Sequence, residues 1–260
     1  MADDIKNIEQ EAQKLFEAQK YEEASKLFLQ AAMSYQSQGQ HKQATICFTS
    51  AASCCEFQGG RQTLFYYASM YYEKAAEEAV ISGDYEYASI LYKNAGICYE
   101  RDLEYVSFSE CFFLSKECYR KSLMPHLFYA KRLHHVGKNH QGFDLKGRMK
   151  LFISWVLLSI SSILWGHGER PQRTVIFACS LILLTALLYT QGHFLVSSVA
   201  HKPNLFESIY FSLITFTHIG YGDIIPIGFN KIVAILEEFV GIFIIPLFLT
   251  GLCRKYLRFL

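Results

Sequence analysis

Apolar positions along this chain follow two different rules. Over residues 5–136 they recur at i, i+3, i+4 and i+7 with polar residues between, the spacing of amphipathic helices. Beyond residue 150 they run together in three stretches, residues 151–166, 174–190 and 232–252. The third would be about 31 Å long as a helix, enough to span a bilayer. The second also suffices if it continues through Phe194, Leu195 and Val196. The first is short and carries Ser154, Ser159, Ser161 and Ser162. It has basic residues on both flanks: Lys146, Arg148 and Lys150 before it, Arg170 and Arg173 after it. Because positive charge favours the cytoplasmic side, this stretch reads as a membrane-surface or re-entrant helix anchored by Trp155 and Trp165.

The first half repeats. Proline is absent before Pro125, and Gly39, Gly59, Gly60 and Gly83 fall where helices should break. The segments 21–35, 41–55 and 85–99 share one pattern, with a weaker copy over 105–119. Each opens on polar residues, has a small residue fourth, then large apolar residues. A small pair follows, Ala31–Ala32, Ala51–Ala52 or Ala95–Gly96. Small residues let helices approach and large ones fill the gaps, so a helix of about 20 residues repeated in pairs predicts a solenoid. The Tyr-rich stretch from Phe65 through Tyr72 is either part of the core or a binding surface.

Charge sharpens the division. The formal net charge is +1 and the hydrophobic fraction 51%, which speaks against nucleic acid as a partner and against a purely soluble enzyme. Residues 1–137 carry 14 Lys and Arg against 18 Asp and Glu, a net −4; residues 138–260 carry 11 against 6, a net +5. The eight cysteines make no CxxC or zinc-knuckle spacing, and six lie in the helical first half, so they read as free, buried thiols. His134, His135 and His140 have no carboxylate or cysteine to complete a metal set, and read as a solvated linker. The first residues are polar with no signal-peptide core, so a cytoplasmic first half is expected. With two spans and a basic end at Arg254, Lys255 and Arg258, both termini are expected inside. No nucleophile, metal or phosphate-binding constellation appears, so no enzyme is expected.

The segment between the second and third stretches carries the chemistry. Asn204 and Glu207 form a capping pair at the start of a helix expected over residues 205–217. Thr217, His218, Ile219, Gly220, Tyr221, Gly222 and Asp223 follow. This order resembles the pore helix and selectivity filter of potassium channels, and the resemblance covers about residues 170–260. The segment from Gly166 through Pro171 also resembles the entry segment of some small bacterial channels of that superfamily. Residues 5–123 resemble the tetratricopeptide superfamily, and most of all the helical sheet of SNAP-type vesicle-fusion adaptors, which implies recognition of a protein or small ligand.

The channel resemblance implies a filter in which the carbonyls of residues 217–222 replace the hydration shell of potassium, the only cofactor expected. Gly220 and Gly222 permit the positive φ this needs. Ile219 and Tyr221 would brace the filter, and Asp223 would sit at the outer mouth. Four chains are needed, so a homotetramer in a lipid bilayer is implied. The family usually has Thr where His218 stands. Four His rings there would lower conductance, alter selectivity or confer inhibition by internal acid, unless the rings turn away from the ion path.

Glu237 and Glu238 lie within the third stretch, where a charge costs about 2.5–3.5 kcal/mol unless it meets protein or water. Glu237 is expected behind the filter and Glu238 nearer the cavity. Gly241 matches the hinge glycine of the family or simply permits close packing, and Pro246 can kink the helix below it. No helix carries the regularly spaced Arg of a voltage sensor.

The expected fold is all-α. It comprises a helical repeat domain (1–137), a linker (138–150), a membrane-interface helix (151–170) and a two-span pore domain (171–260). The expected function is a potassium channel of the plasma membrane regulated through its repeat domain. The alternative is a membrane-anchored SNAP-like adaptor with a weakly conducting or non-selective cation pore.

Overall fold

The computed structural model describes residues 2–58, 62–129 and 145–256. The three linker histidines, and the boundary expected between residues 137 and 147, lie outside or at the edge of that set. The chain is mostly helical and divides into two compact units, residues 1–160 and 161–260.

The first unit begins with six helices: α1 (Ala2–Glu17), α2 (Tyr21–Ser37), α3 (His41–Gln58), α4 (Gln62–Ile81), α5 (Tyr85–Arg101) and α6 (Tyr105–Tyr129). Each packs against the next, as a helical repeat stack requires. The small pairs sit where helices cross: Ala31, Ala32, Ala51, Ala52, Ala75, Ala76 and Ala95 are completely buried. Around them Phe48, Leu91, Tyr72 and Tyr99 fill the core. Three of its tyrosines pair with carboxylates on the preceding helix. Tyr35 donates to Glu9 at 2.9 Å, Tyr72 to Glu56 at 2.6 Å and Tyr99 to Glu73 at 2.8 Å. The Tyr-rich stretch divides between its two readings: Tyr72 is buried, while Tyr66 and Tyr67 are exposed.

One turn recurs four times. Gln19, Gly39, Gly83 and Leu103 each lie two residues before the next helix, and each has φ between 61° and 80°. In each turn the following amide bonds back to a carbonyl five residues earlier: Lys20 to Leu15, Gln40 to Tyr35, Asp84 to Ala79 and Glu104 to Tyr99. This is the left-handed cap that closes a helix with its last carbonyls satisfied. Glycine marks only two of the four, so the other two were silent to a search for breakers.

Cys47, Cys54, Cys55, Cys98, Cys111 and Cys118 are buried and unbridged, as expected. Burial pushes the Cys47, Cys54 and Cys98 thiols up to about 12 and Cys118 to about 11. At neutral pH they are protonated and inert.

Helix α7 (Leu145–Trp165) is longer than the short apolar stretch read from sequence, because it takes in the basic residues at its start. It is one of three helices long and apolar enough to cross a membrane, with α8 (Pro171–Tyr189) and α10 (Phe229–Tyr256). Its length therefore does not exclude a span, contrary to the premise of the surface-helix reading. Phe152, Ile153, Leu157 and Ile163 are exposed along it.

In the second unit, a 3-10 turn over Gly166–Gly168 leads into α8. Next come strands β1 (His193–Val196) and β2 (Val199–His201), helix α9 (Leu205–Phe216), strand β3 (Ile225–Ile227) and α10. The strands form an antiparallel sheet in the order β2-β1-β3, with Phe194 opposite both His201 and Pro226. Ser197 and Ser198 both have positive φ, the geometry of a tight two-residue hairpin. The apolar run Phe194, Leu195 and Val196, which by hydropathy could extend the preceding helix, is a strand. The chain instead turns at Gly192, whose backbone lies so close to Asn230 that a Cβ would meet its Oδ1 at 2.1 Å. Phe194 then packs its ring 4.7 Å from Phe211 and 5.6 Å from Tyr189.

The recurrent turn predicts opposite effects at equivalent places. Nothing crowds a Cβ at Gly83, so Gly83→Ala should destabilise by about 1 kcal/mol through the backbone alone. Leu103 is exposed and strained, so Leu103→Gly should be neutral or stabilising by up to about 1 kcal/mol. Thermal unfolding of the full chain in detergent, followed by circular dichroism, checks the sign of each.

Candidate functional site

Helix α9 begins with the capping box the sequence announced. Asn204 Oδ1 accepts from the Glu207 amide at 2.9 Å, and Glu207 accepts from the Asn204 amide at 3.1 Å. His201 Nε2, on β2, lies 3.1 Å from Glu207 and ties the hairpin to the helix start. The helix is 12 residues, about 18 Å. Thr217 is its C-cap rather than its last residue, with its hydroxyl on the Leu213 carbonyl at 2.7 Å.

The next residues have an alternating backbone. His218 has φ 60°, Gly220 54° and Gly222 78°, whereas Ile219 and Tyr221 between them do not have positive φ. Alternation of this kind turns successive carbonyls towards one side of an extended chain, whereas in a β-strand they alternate between the two edges. The segment is fastened at both ends. The amides of Ile219 and Gly220 bond to the Ile214 carbonyl at the end of α9. Tyr210 on α9 donates to Asp223 at 2.8 Å, so Asp223 is held by α9 while remaining exposed. Nothing lies within 4 Å of a Cβ built at Gly220 or Gly222; positive φ, not crowding, is what these two positions demand.

His218 is the one non-glycine residue with positive φ in the alternation. Its ring turns towards α10, where Nε2 lies 3.0 Å from the Glu238 carbonyl oxygen. Gly241, one turn on, makes room for this. A Cβ there would meet the Phe216 carbonyl oxygen at 2.5 Å and His218 Cε1 at 3.0 Å. Close packing under the end of α9 is thus a demonstrated role of Gly241. Pro246 lies inside α10, which continues through it as one helix.

The two glutamates of α10 separate as helical geometry requires. Glu238 is exposed in the single chain, whereas Glu237 is 1% exposed. The Glu237 carboxylate accepts from Thr185 Oγ1 at 2.7 Å, from Tyr189 Oη at 2.6 Å and from Ser212 Oγ. These donors come from α8 and α9, so one carboxylate joins α8, α9 and α10. The sequence leads one to expect this carboxylate behind a filter; the structure buries it among α8, α9 and α10. The three hydroxyls escaped that reading, because nothing local distinguishes them from other Ser, Thr and Tyr in apolar helices.

Asn230 was also missed. It is completely buried at the start of α10 and donates to the carbonyls of Tyr189 and His193 at 3.1 and 3.3 Å. A buried amide in the first turn of an apolar helix is a usable signal, since such a group must find partners. Among the described residues no group of three or more His, Cys, Asp or Glu is placed to hold a metal ion.

Residues 174–258 match the Ion_trans_2 family model, described as an ion channel. The match covers about a third of the chain and takes in most of α8, the hairpin, α9, residues 217–223 and α10. No curated protein matches the chain, and no solved structure does. The second unit therefore contains an ion-channel domain built on apolar helices, in a membrane protein.

Proposed function

We propose that the chain is one subunit of a tetrameric, potassium-selective channel of the plasma membrane, without a voltage sensor. Its repeat domain, of the tetratricopeptide or SNAP type, regulates the pore by binding a protein or a small ligand. The observation that carries this reading is the alternating positive φ at His218, Gly220 and Gly222. Carbonyls that face one way can strip a cation of water at little cost in reorganisation. The match at residues 174–258 supports conduction.

Assembly into four is supported by what one chain leaves uncovered. Ile219 is 55% exposed and Tyr221 69%, a poor arrangement for bracing side chains unless neighbouring subunits cover them. Basic residues at both ends of α7 favour its lying along the cytoplasmic surface, with α8 and α10 crossing and both termini inside.

A second reading, an anchored adaptor with a non-selective pore, draws on His218. Its ring is engaged with α10 and supplies no hydroxyl to the innermost ion site. Recording single channels from purified protein in asymmetric potassium and sodium separates the two. The proposed channel reverses near the potassium equilibrium potential. Reversal near zero favours the adaptor reading, and absence of current removes the proposal.

Variants at two positions test the parts. Gly222→Ala should reduce discrimination between potassium and sodium by about tenfold or more, through φ rather than volume. Glu237→Leu removes the acceptor of the buried Tyr189 hydroxyl, at about 1–3 kcal/mol, while Thr185 and Ser212 keep the Leu181 and Ile182 carbonyls. It should lower the thermal midpoint of the assembled protein further than Glu237→Gln, which keeps an acceptor oxygen. Fluorescence-detected size exclusion after heating measures both.

A further inference from the structure

The turn between α7 and α8 is more tightly built than a connection needs. Gly166, His167 and Gly168 all have positive φ, and all three are buried. From one side α8 grips the end of α7: Arg173 donates to the Ser162 carbonyl at 2.7 Å, and Thr174 to the Leu164 carbonyl at 3.0 Å. From the other side the last turns of α10 lie against the same place. Gly251 is buried, with room for a Cβ only 3.4 Å from Pro171. Arg254 reaches across Gly168, where a Cβ would meet its Nη1 at 2.9 Å. Its Nη2 lies 3.3 Å from Glu169 Oε1, and the Glu169 side chain is 1% exposed against 35% for Arg254.

A carboxylate this buried needs its cation, so removing either partner is far more costly than the same pair in water would be. The ion pair therefore ties the inner helix to the foot of the outer helix. It does so below Pro246, where the missing amide has already removed a helical hydrogen bond and made bending cheap. Above the proline, Gly241 holds the helix against the end of α9. The inner helix is thus fixed above and below a weak point.

We propose that the Glu169–Arg254 pair is a gating latch: it holds the part of α10 below Pro246 in the position seen here, and displacing that part requires the pair to break. Glu169 and Arg254 are positioning residues, remote from the filter and acting on ion flow through the helix. The proposal rests on the channel reading for its electrical consequence, but not for its mechanical one.

The test uses the full chain with Glu169→Gln, Arg254→Gln and the double variant. In planar bilayers each single variant should shift the open probability by about fivefold or more, the usual size of a coupling between sites. Unitary conductance should stay unchanged, and the double variant should shift no further than either single one. Arg254→Lys, which keeps the charge but not the fork, should shift it in the same direction by less, and serves if a Gln variant fails to assemble. Unchanged open probability, or additive shifts, overturns the latch.

Native Cys253, exposed beside Arg254, gives a readout that needs no current. In nanodiscs, its labelling by a water-soluble maleimide, read by mass spectrometry, should change rate equally in both single variants and the double. An unchanged rate overturns the latch. If the wild-type protein carries no current the channel reading fails, while the labelling still decides the latch.

Discussion

A carboxylate inside an apolar helix is the constraint around which the second unit is built. Glu237 cannot be left in hydrocarbon, and the Thr185, Tyr189 and Ser212 hydroxyls satisfy it from two other helices. Those bonds are directional, so they set rotation and height for α8, α9 and α10 as apolar packing alone would not. The aromatic cluster of Tyr189, Phe194 and Phe211 forms beside them. Tyr189 belongs to both sets, its hydroxyl on the carboxylate and its ring in the cluster. The hairpin follows from this arrangement: Phe194 reaches the cluster only because the chain leaves its helix at Tyr189 and turns on Gly192.

The segment over residues 217–223 is held by the same frame. The end of α9 supplies the carbonyls that bind the first amides of this segment, and α10 supplies a glycine where α9 must approach and a carbonyl for the His218 ring. The segment contains little regular hydrogen bonding of its own. Its unusual backbone is maintained by two attachments to α9, from the last carbonyls of that helix at its start and from Tyr210 to Asp223 at its close. Strained backbone of this kind persists only where the surroundings over-determine it.

The first unit works by a different economy. Its helices are neither uniformly apolar nor held by one deep interaction. Small residues at the crossings, tyrosines bound to carboxylates on the preceding helix and one recurring left-handed turn are repeated along the stack. Each helix depends chiefly on its neighbours, so the unit gains stability by repetition.

Much of this was legible in the order of residues. The repeat periodicity, the buried thiols, the capping box at Asn204 and Glu207, and the glycines of the filter segment depend on chemistry within a few positions, where spacing determines geometry. The charge of Glu237 in an apolar run announced that a partner must exist. Which partner depended on residues 25 to 52 positions away, and sequence distance carries no record of that meeting. The same holds for the direction of the His218 ring, for Gly192 against Asn230, and for the Glu169–Arg254 pair across 85 positions. Tertiary structure also decided the left-handed turns at Gln19 and Leu103, where neighbouring helices impose a conformation the residue itself disfavours. Local chemistry thus declared which groups needed partners, and packing of distant helices determined who they were.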